Sequence, residues 1–151
     1  MSEYFYRMLP EEEMNQVSYI PTVPEFVEWI GKKWGDLPAV SDTENTYSYR
    51  EFCCRIARRR TFLRGLGIAE GDKVAIWERT SIDAIEMFLA ALSAGYVGIM
   101  LPTQLPGPAV AGCCAKFGVK VLADGERRAL AVLRTAPAHQ DGPHRIVGPS
   151  A

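Results

Sequence analysis

Residues 71–101, GDKVAIWERTSIDAIEMFLAALSAGYVGIML, limit what this chain can fold into more than any other stretch. Gly71 and Asp72 suit a turn, and Lys73-Val74-Ala75-Ile76-Trp77 is a short apolar run suited to a buried strand. Ser81 is placed to cap a helix whose first turns carry Asp83 and Glu86, where acids suit the positive end of the helix dipole. That helix is apolar nearly all round, through Ile82, Ile85, Met87, Phe88, Leu89, Ala90, Ala91 and Leu92. So narrow a polar face predicts cover on most sides and deep burial of both Phe88 and Leu89. Gly95 is a natural left-handed stop, and residues 96–101 form a second apolar strand ended by Pro102. Two apolar strands joined by a helical crossover pair in parallel with a right-handed connection. The unit is βαβ, and it holds no nucleophile, metal cluster or phosphate loop.

The flanking sequence extends the same alternation. Thr22-Val23-Pro24-Glu25 joins a Thr cap to a Glu three residues on, with Pro in the first turn. Val23, Phe26, Val27, Ile30 and Trp34 follow at helical spacing, and Ala39-Val40 begins a short strand. Ser48 with Glu51 repeats the capping pattern and opens a helix to about Arg64, with an apolar stripe of Phe52, Ile56 and Leu63. Beyond the central unit, residues 109–117 read as a helix stopped by Gly118, and residues 119–123 as a third strand. Residues 126–134 read as an amphipathic helix with Leu130 and Leu133 inward, and residues 144–147 as a short strand. The expected fold class is α/β, three-layer-like, with a mainly parallel sheet and flanking helices. Residues 1–20 read as a lead-in, and residues 21–151 as one partial domain.

A chain of 151 residues can hold one domain with a real core. Its formal net charge of -1 gives no electrostatic reason to expect nucleic acid or an anionic membrane as partner. No apolar run is long enough to span a bilayer, and the first residues lack the basic-then-apolar order of a secretion signal. The expected location is therefore cytoplasmic. Cys53-Cys54 and Cys113-Cys114 are adjacent pairs rather than C-x-x-C, so they read as reduced, partly buried structural thiols with one of each pair more buried.

Each apparent motif has a plainer reading. Gly65-Leu66-Gly67 with Gly71 follows a helix and precedes a strand, the reverse of a dinucleotide loop, and reads as a helix stop and turn. His139, Asp141 and His144 sit in a Gly/Pro loop with nothing to fix a metal geometry, and read as solvated. Ser41, Ser81 and Ser93 lack a nucleophile-elbow context. Arg55, Arg58, Arg59, Arg60 and Arg64 read as a solvated, salt-bridged helix face. Arg59 and Arg60 flank the apolar stripe, and are expected to lay their methylenes along it with the guanidinium heads in water. On that reading Arg60→Leu is neutral or mildly stabilising. The catalytic, cofactor-binding and metal residues expected in this chain are none.

The ordered series Thr46-Tyr47-Ser48-Tyr49-Arg50-Glu51-Phe52, Leu63 to Gly67, Gly71-Asp72-Lys73-Val74-Ala75-Ile76 and Ala90-Ala91-Leu92-Ser93-Ala94-Gly95 resembles the N-terminal region of the AMP-forming adenylating enzymes. These are the acyl- and aryl-CoA synthetases, the adenylation domains of peptide synthetases and the luciferases. Segments fall at the family spacing from Tyr49 to Gly95, and more loosely from about Thr22 to Val147. Arg79-Thr80-Ser81 departs from the usual Pro-Asn-Ser, Met100-Leu101-Pro102-Thr103 blurs a usual Pro-Leu-x-Pro, and Arg59 and Arg60 stand where Leu and Ala are common. None of these positions carries catalysis in the family.

The resemblance implies an N-terminal fragment of an acyl-CoA-synthetase-like ligase of fatty acid metabolism. It joins a carboxylate to ATP as an acyl-adenylate and then to CoA. ATP, Mg²⁺ and CoA are implied for the full-length parent, and no cofactor for this chain alone. The family's Ser/Thr/Gly-rich loop ending in Lys, its aromatic-Gly-x-Thr-Glu motif, its ribose-binding Asp and its C-terminal Lys match nothing here, and Pro149-Ser150-Ala151 falls about where the phosphate-loop strand would approach. The expected partner is the remainder of the parent ligase, and the chain alone is expected to be inactive. Two alternatives stay open: a non-catalytic α/β interaction or scaffold module, and a flavodoxin-like small-molecule binder. The binder would need a loop at the carboxyl edge of the sheet, where Glu78-Arg79-Thr80-Ser81 and Pro102-Thr103-Gln104 offer little.

Overall fold

The computed structural model describes residues 22–125 and 129–133. Helix α1 (Val23–Lys33) starts at Thr22, whose amide donates to the Glu25 carboxylate at 2.8 Å, and it buries Val27 and Ile30. Strands β1 (Pro38–Ser41) and β2 (Thr46–Ser48) pair antiparallel as a separate ribbon. Their turn is closed by Asp42, whose carboxylate accepts from the amides of Glu44 and Asn45. Helix α2 (Tyr49–Arg64) opens on the expected box: the Ser48 hydroxyl accepts from the Glu51 amide, and the Glu51 carboxylate accepts from the Ser48 amide. Phe52, Ile56 and Leu63 are its buried face.

The central unit is β3 (Lys73–Trp77), α3 (Ile82–Ser93) and β4 (Val97–Leu101), and its strands are parallel in unbroken register from Lys73–Val97 to Trp77–Leu101. The turn into β4 needs Gly95, at φ +85°, a conformation costly for any residue with a Cβ. Helix α4 (Gly107–Phe117) ends on Gly118 at φ +63° and leads to β5 (Val119–Asp124), which pairs parallel to the other side of β3. Strand β6 (Ala129–Val132) completes the sheet, whose order is β4-β3-β5-β6.

The side chains of β3 alternate between two cores. Val74 and Ile76 join Phe52, Ile56 and Leu63 of α2 and Ala84, Met87 and Ala91 of α3 on one face. Ala75 joins Val110 and Cys114 of α4 on the other. The layers are helix, sheet, helix, as the sequence led one to expect.

Two expectations about the fold fail. Residues 129–132 are a strand antiparallel to β5, not part of a helix. Ala and Leu favour a helix locally, but β5 offers an open ladder, and tertiary pairing overrides a weak propensity. Leu130 packs into the first core and Leu133 into the second, on opposite sides of the sheet rather than on one helix face. The lead-in at residues 1–20, the possible metal group His139, Asp141 and His144, and the short strand at residues 144–147 lie outside the described residues.

Phe88 and Leu89 are half-buried, not deeply buried. Helix α3 turns Ala84, Met87 and Ala91 into the first core and Glu86 toward α2, so two flanks are covered. Ile85, Phe88, Leu89 and Leu92 form one stripe at helical spacing; Phe88 and Leu89 pack half-buried against the edge of the first core, and Ile85 is 40% exposed. Phe88 lies over Gly98 so closely that a Cβ there would come within 2.6 Å of its ring.

The last residue of α3 carries a liability. Ser93 is buried, and its hydroxyl has no hydrogen-bond partner among the described residues. Ser93→Ala removes an unsatisfied polar group and adds a better helix former, and is expected to raise stability by about 1 kcal/mol in a urea melt. A loss instead would mean that the hydroxyl holds a bound water.

Candidate functional site

In an open sheet wound in both directions, ligands settle where the winding reverses, at the carboxyl ends of the strands. Here that point is the end of β3, between β4 and β5, with α3 and α4 on opposite faces. The residues gathered there are Glu78 and Ser81 after β3, Pro102 and Leu105 after β4, and Asp124 at the end of β5 with Gly125 after it. Ser81 is used twice: its hydroxyl accepts from the Ala84 amide at 3.0 Å, capping α3, and donates to Glu78 at 2.8 Å. The Gly125 amide donates to the Trp77 carbonyl, and the Glu78 side chain fills the space that a Cβ on Gly125 would take. Trp77 Nε1 is buried without a partner among the described residues.

ATP and Mg²⁺, implied by the resemblance, do not fit this donor set. A triphosphate needs amides and cations aimed at it. The N-terminus of α3 presents Glu78 and Asp83 instead, and Asp124 stands at the end of the neighbouring strand. Among the described residues no three His, Cys, Asp or Glu side chains could hold a metal ion.

The strongest electrostatic cluster lies elsewhere, between α2 and α3. Glu86 is fully buried and accepts from the Nε of both Arg55 and Arg59, at 2.8 Å from Arg59. Asp83, half-exposed, pairs with both arginines through their terminal nitrogens. The Arg55 guanidinium also lies over the Tyr47 ring, 4.4 Å from its centroid. The hydrogen bond that Arg55 donates to Glu86 holds its guanidinium above its usual pKa. So Arg59 does not keep its head in water as expected. It crosses to the next helix, because a carboxylate as deeply placed as Glu86 needs charged donors.

The sequence carried a sign of this cluster. Arg55 and Arg59 are four apart, and Asp83 and Glu86 three apart, so each pair lies on one face of its helix. Read singly, Glu86 passed as a helix-start acid. Arg60 remains half-buried, near enough to Glu28 to help lower its pKa, after the larger effect of the Lys32–Glu28 pair.

The thiols match the sequence expectation. All four cysteines are free, with Cys114 buried beside half-buried Cys113, and Cys53 half-buried beside exposed Cys54. Burial pushes the Cys53 and Cys114 thiols above their ordinary pKa, away from reactivity. Cys53 donates to the Val27 carbonyl at 3.1 Å and helps tie α2 to α1. No helix among the described residues is long and apolar enough to cross a membrane.

Comparison with known proteins agrees with this geometry. Residues 27–148 match the sequence model of the AMP-binding enzymes. The chain is 30% identical to the tenellin synthetase of Beauveria bassiana over 124 residues, which are 79% of this chain and 3% of that protein. It is also 30% identical over 91 residues to the hybrid PKS-NRPS synthetase apdA of Emericella nidulans, covering 60% of this chain and 2% of that one. Among solved structures, the N-terminal subdomain of Klebsiella oxytoca NpsA superposes with a TM-score of 0.65 at 21% identity, over 70% of this chain and 28% of that one. The N-terminal domain of Mycobacterium tuberculosis FACL13 gives 0.65 at 25%, over 68% and 26%. The chain therefore spans a small part of the relatives it matches. It belongs to the AMP-binding enzyme family, and its fold is that of the N-terminal region of an adenylating enzyme.

Proposed function

We propose that this chain is a scaffold portion of an ATP-dependent ligase that makes an acyl-adenylate from a carboxylate and releases pyrophosphate. The ligase then passes the acyl group to a thiol and releases AMP. The family match over residues 27–148 carries this reading. The half-exposed stripe of α3 and the exposed Val97 and Met100 of β4 support it, since they leave apolar surface for further parts of a larger domain to cover. The chain's own part is structural: its polar groups at the carboxyl ends of the strands cap helices and oppose an anion.

For the acceptor, a carrier-domain thiol is preferred to CoA. The relatives at 30% identity are a tenellin synthetase and a hybrid PKS-NRPS synthetase, and this fold also resembles NpsA-ThdA, an artificially fused adenylation-PCP di-domain. CoA and a place in fatty acid metabolism rest on the likeness to the mycobacterial fatty acyl CoA synthetase, at 25% identity against 30% for the two synthetases. The proposed setting is cytoplasmic.

ATP–pyrophosphate exchange tests this reading. The 151-residue chain with a panel of carboxylates is expected to give no exchange above a no-protein control, and turnover would overturn its scaffold role. The product of the reading frame carried past Ala151 is expected to exchange with at least one carboxylate. A folded longer product without exchange would favour the interaction-module alternative.

A further inference from the structure

The six arginines of α2 divide by what they meet. Arg55 and Arg59 are taken up by Asp83 and Glu86. Arg50 lies 3.2 Å from Asp36, and Arg60 is near Glu28. Arg58 and Arg64 are exposed and have neither hydrogen bond nor ion pair among the described residues. The one acid of the helix, Glu51, is engaged with its own N-terminus. Phe62, one turn after Arg58 and on the same side of the helix, is 54% exposed, the most exposed large apolar side chain of the described fold. Arg58 and Phe62 form one wall of the outer face and Arg64 the other, with Cys54 and Thr61 between them.

We propose that this outer face of α2 docks an acidic protein segment, one with carboxylates for Arg58 and Arg64 and an apolar side chain for Phe62. The uncompensated guanidinium groups select acids, and the phenyl ring selects a partner with an apolar residue beside them. A nucleic acid or an anionic bilayer fits less well. The cations are few, the chain as a whole is slightly negative, and Glu70 and Asp72 follow closely. The proposal does not depend on the ligase reading, since an exchange assay and a docking assay fail separately.

A fluorescein-labelled amphipathic helical peptide of Glu and Leu, titrated with the 151-residue chain, tests it by anisotropy. Saturable binding is expected, weakening as salt is raised. Combined Arg58→Glu and Arg64→Glu should weaken it about tenfold or more, and Phe62→Ser about threefold to tenfold. These side chains are exposed, so thermal melts of the variants should match the parent. If a variant misfolds, alkylation of Cys54 in the unaltered chain gives a second reading, and the peptide is expected to slow it. No saturable binding, binding indifferent to both changes, unprotected Cys54, or an oligonucleotide or anionic vesicle bound as tightly as the peptide would each overturn the proposal.

Discussion

Changing Arg55 and Arg59 together to Ala is expected to cost about 3–5 kcal/mol, the largest loss for a change at polar residues of this fold. Both arginines donate to Glu86, which has no exposed surface, so their removal leaves a buried carboxylate without a counter-charge. Asp83 is half-exposed and loses little, because water takes the place of its partners. Adding Glu86→Gln to the double variant should recover much of the loss, since an amide is less costly to bury than a charge. Urea melts measure both steps. A double variant within about 1 kcal/mol of the parent would mean that Glu86 reaches water, and that the helices pack without the cluster.

Ile76→Ala is expected to cost about 2–5 kcal/mol. Ile76 has no exposed surface, and the central strand that carries it is fixed on both sides, so the cavity has little means to collapse. Leu89→Ala should cost clearly less, because Leu89 is half-buried and its neighbours on the outer stripe can settle into the space. Equal losses at the two sites would show that the α3 stripe is covered after all.

Local signals in this chain are legible in its sequence. The Ser48–Glu51 box, the Ser81 cap and the stops at Gly95 and Gly118 each depend on residues a few positions apart, and each stands where expected. The βαβ unit was legible for the same reason: a strand, a capped helix and a strand are contiguous, and handedness limits how they close. Residues 129–132 are not legible in this way, because their state is decided by β5 and not by their own preference. The Glu86 cluster joins residues 27 and 31 positions apart, and a single sequence does not show which faces of two helices will meet. The half-burial of Phe88 and Leu89 is not legible either, because apolar composition shows that a face seeks cover, not how much cover is present. Of the candidate site, the absence of a phosphate loop from the central unit could be read directly. The crowding of Glu78 onto Gly125, which brings together the ends of two strands, could not.

The place of β3 in the sheet sets a hierarchy of exchange times. Its neighbours are β4 on one side and β5 on the other, so its amides find carbonyls across both gaps. Deuterium reaches them only when one of those neighbours separates, and separation opens both hydrophobic layers at once. The amides of Val74, Ala75 and Ile76 should therefore exchange at the rate of global unfolding, while those on the outer side of β4 exchange through local opening. The slowest amides of this chain thus act as an internal gauge of its total stability, readable without denaturant.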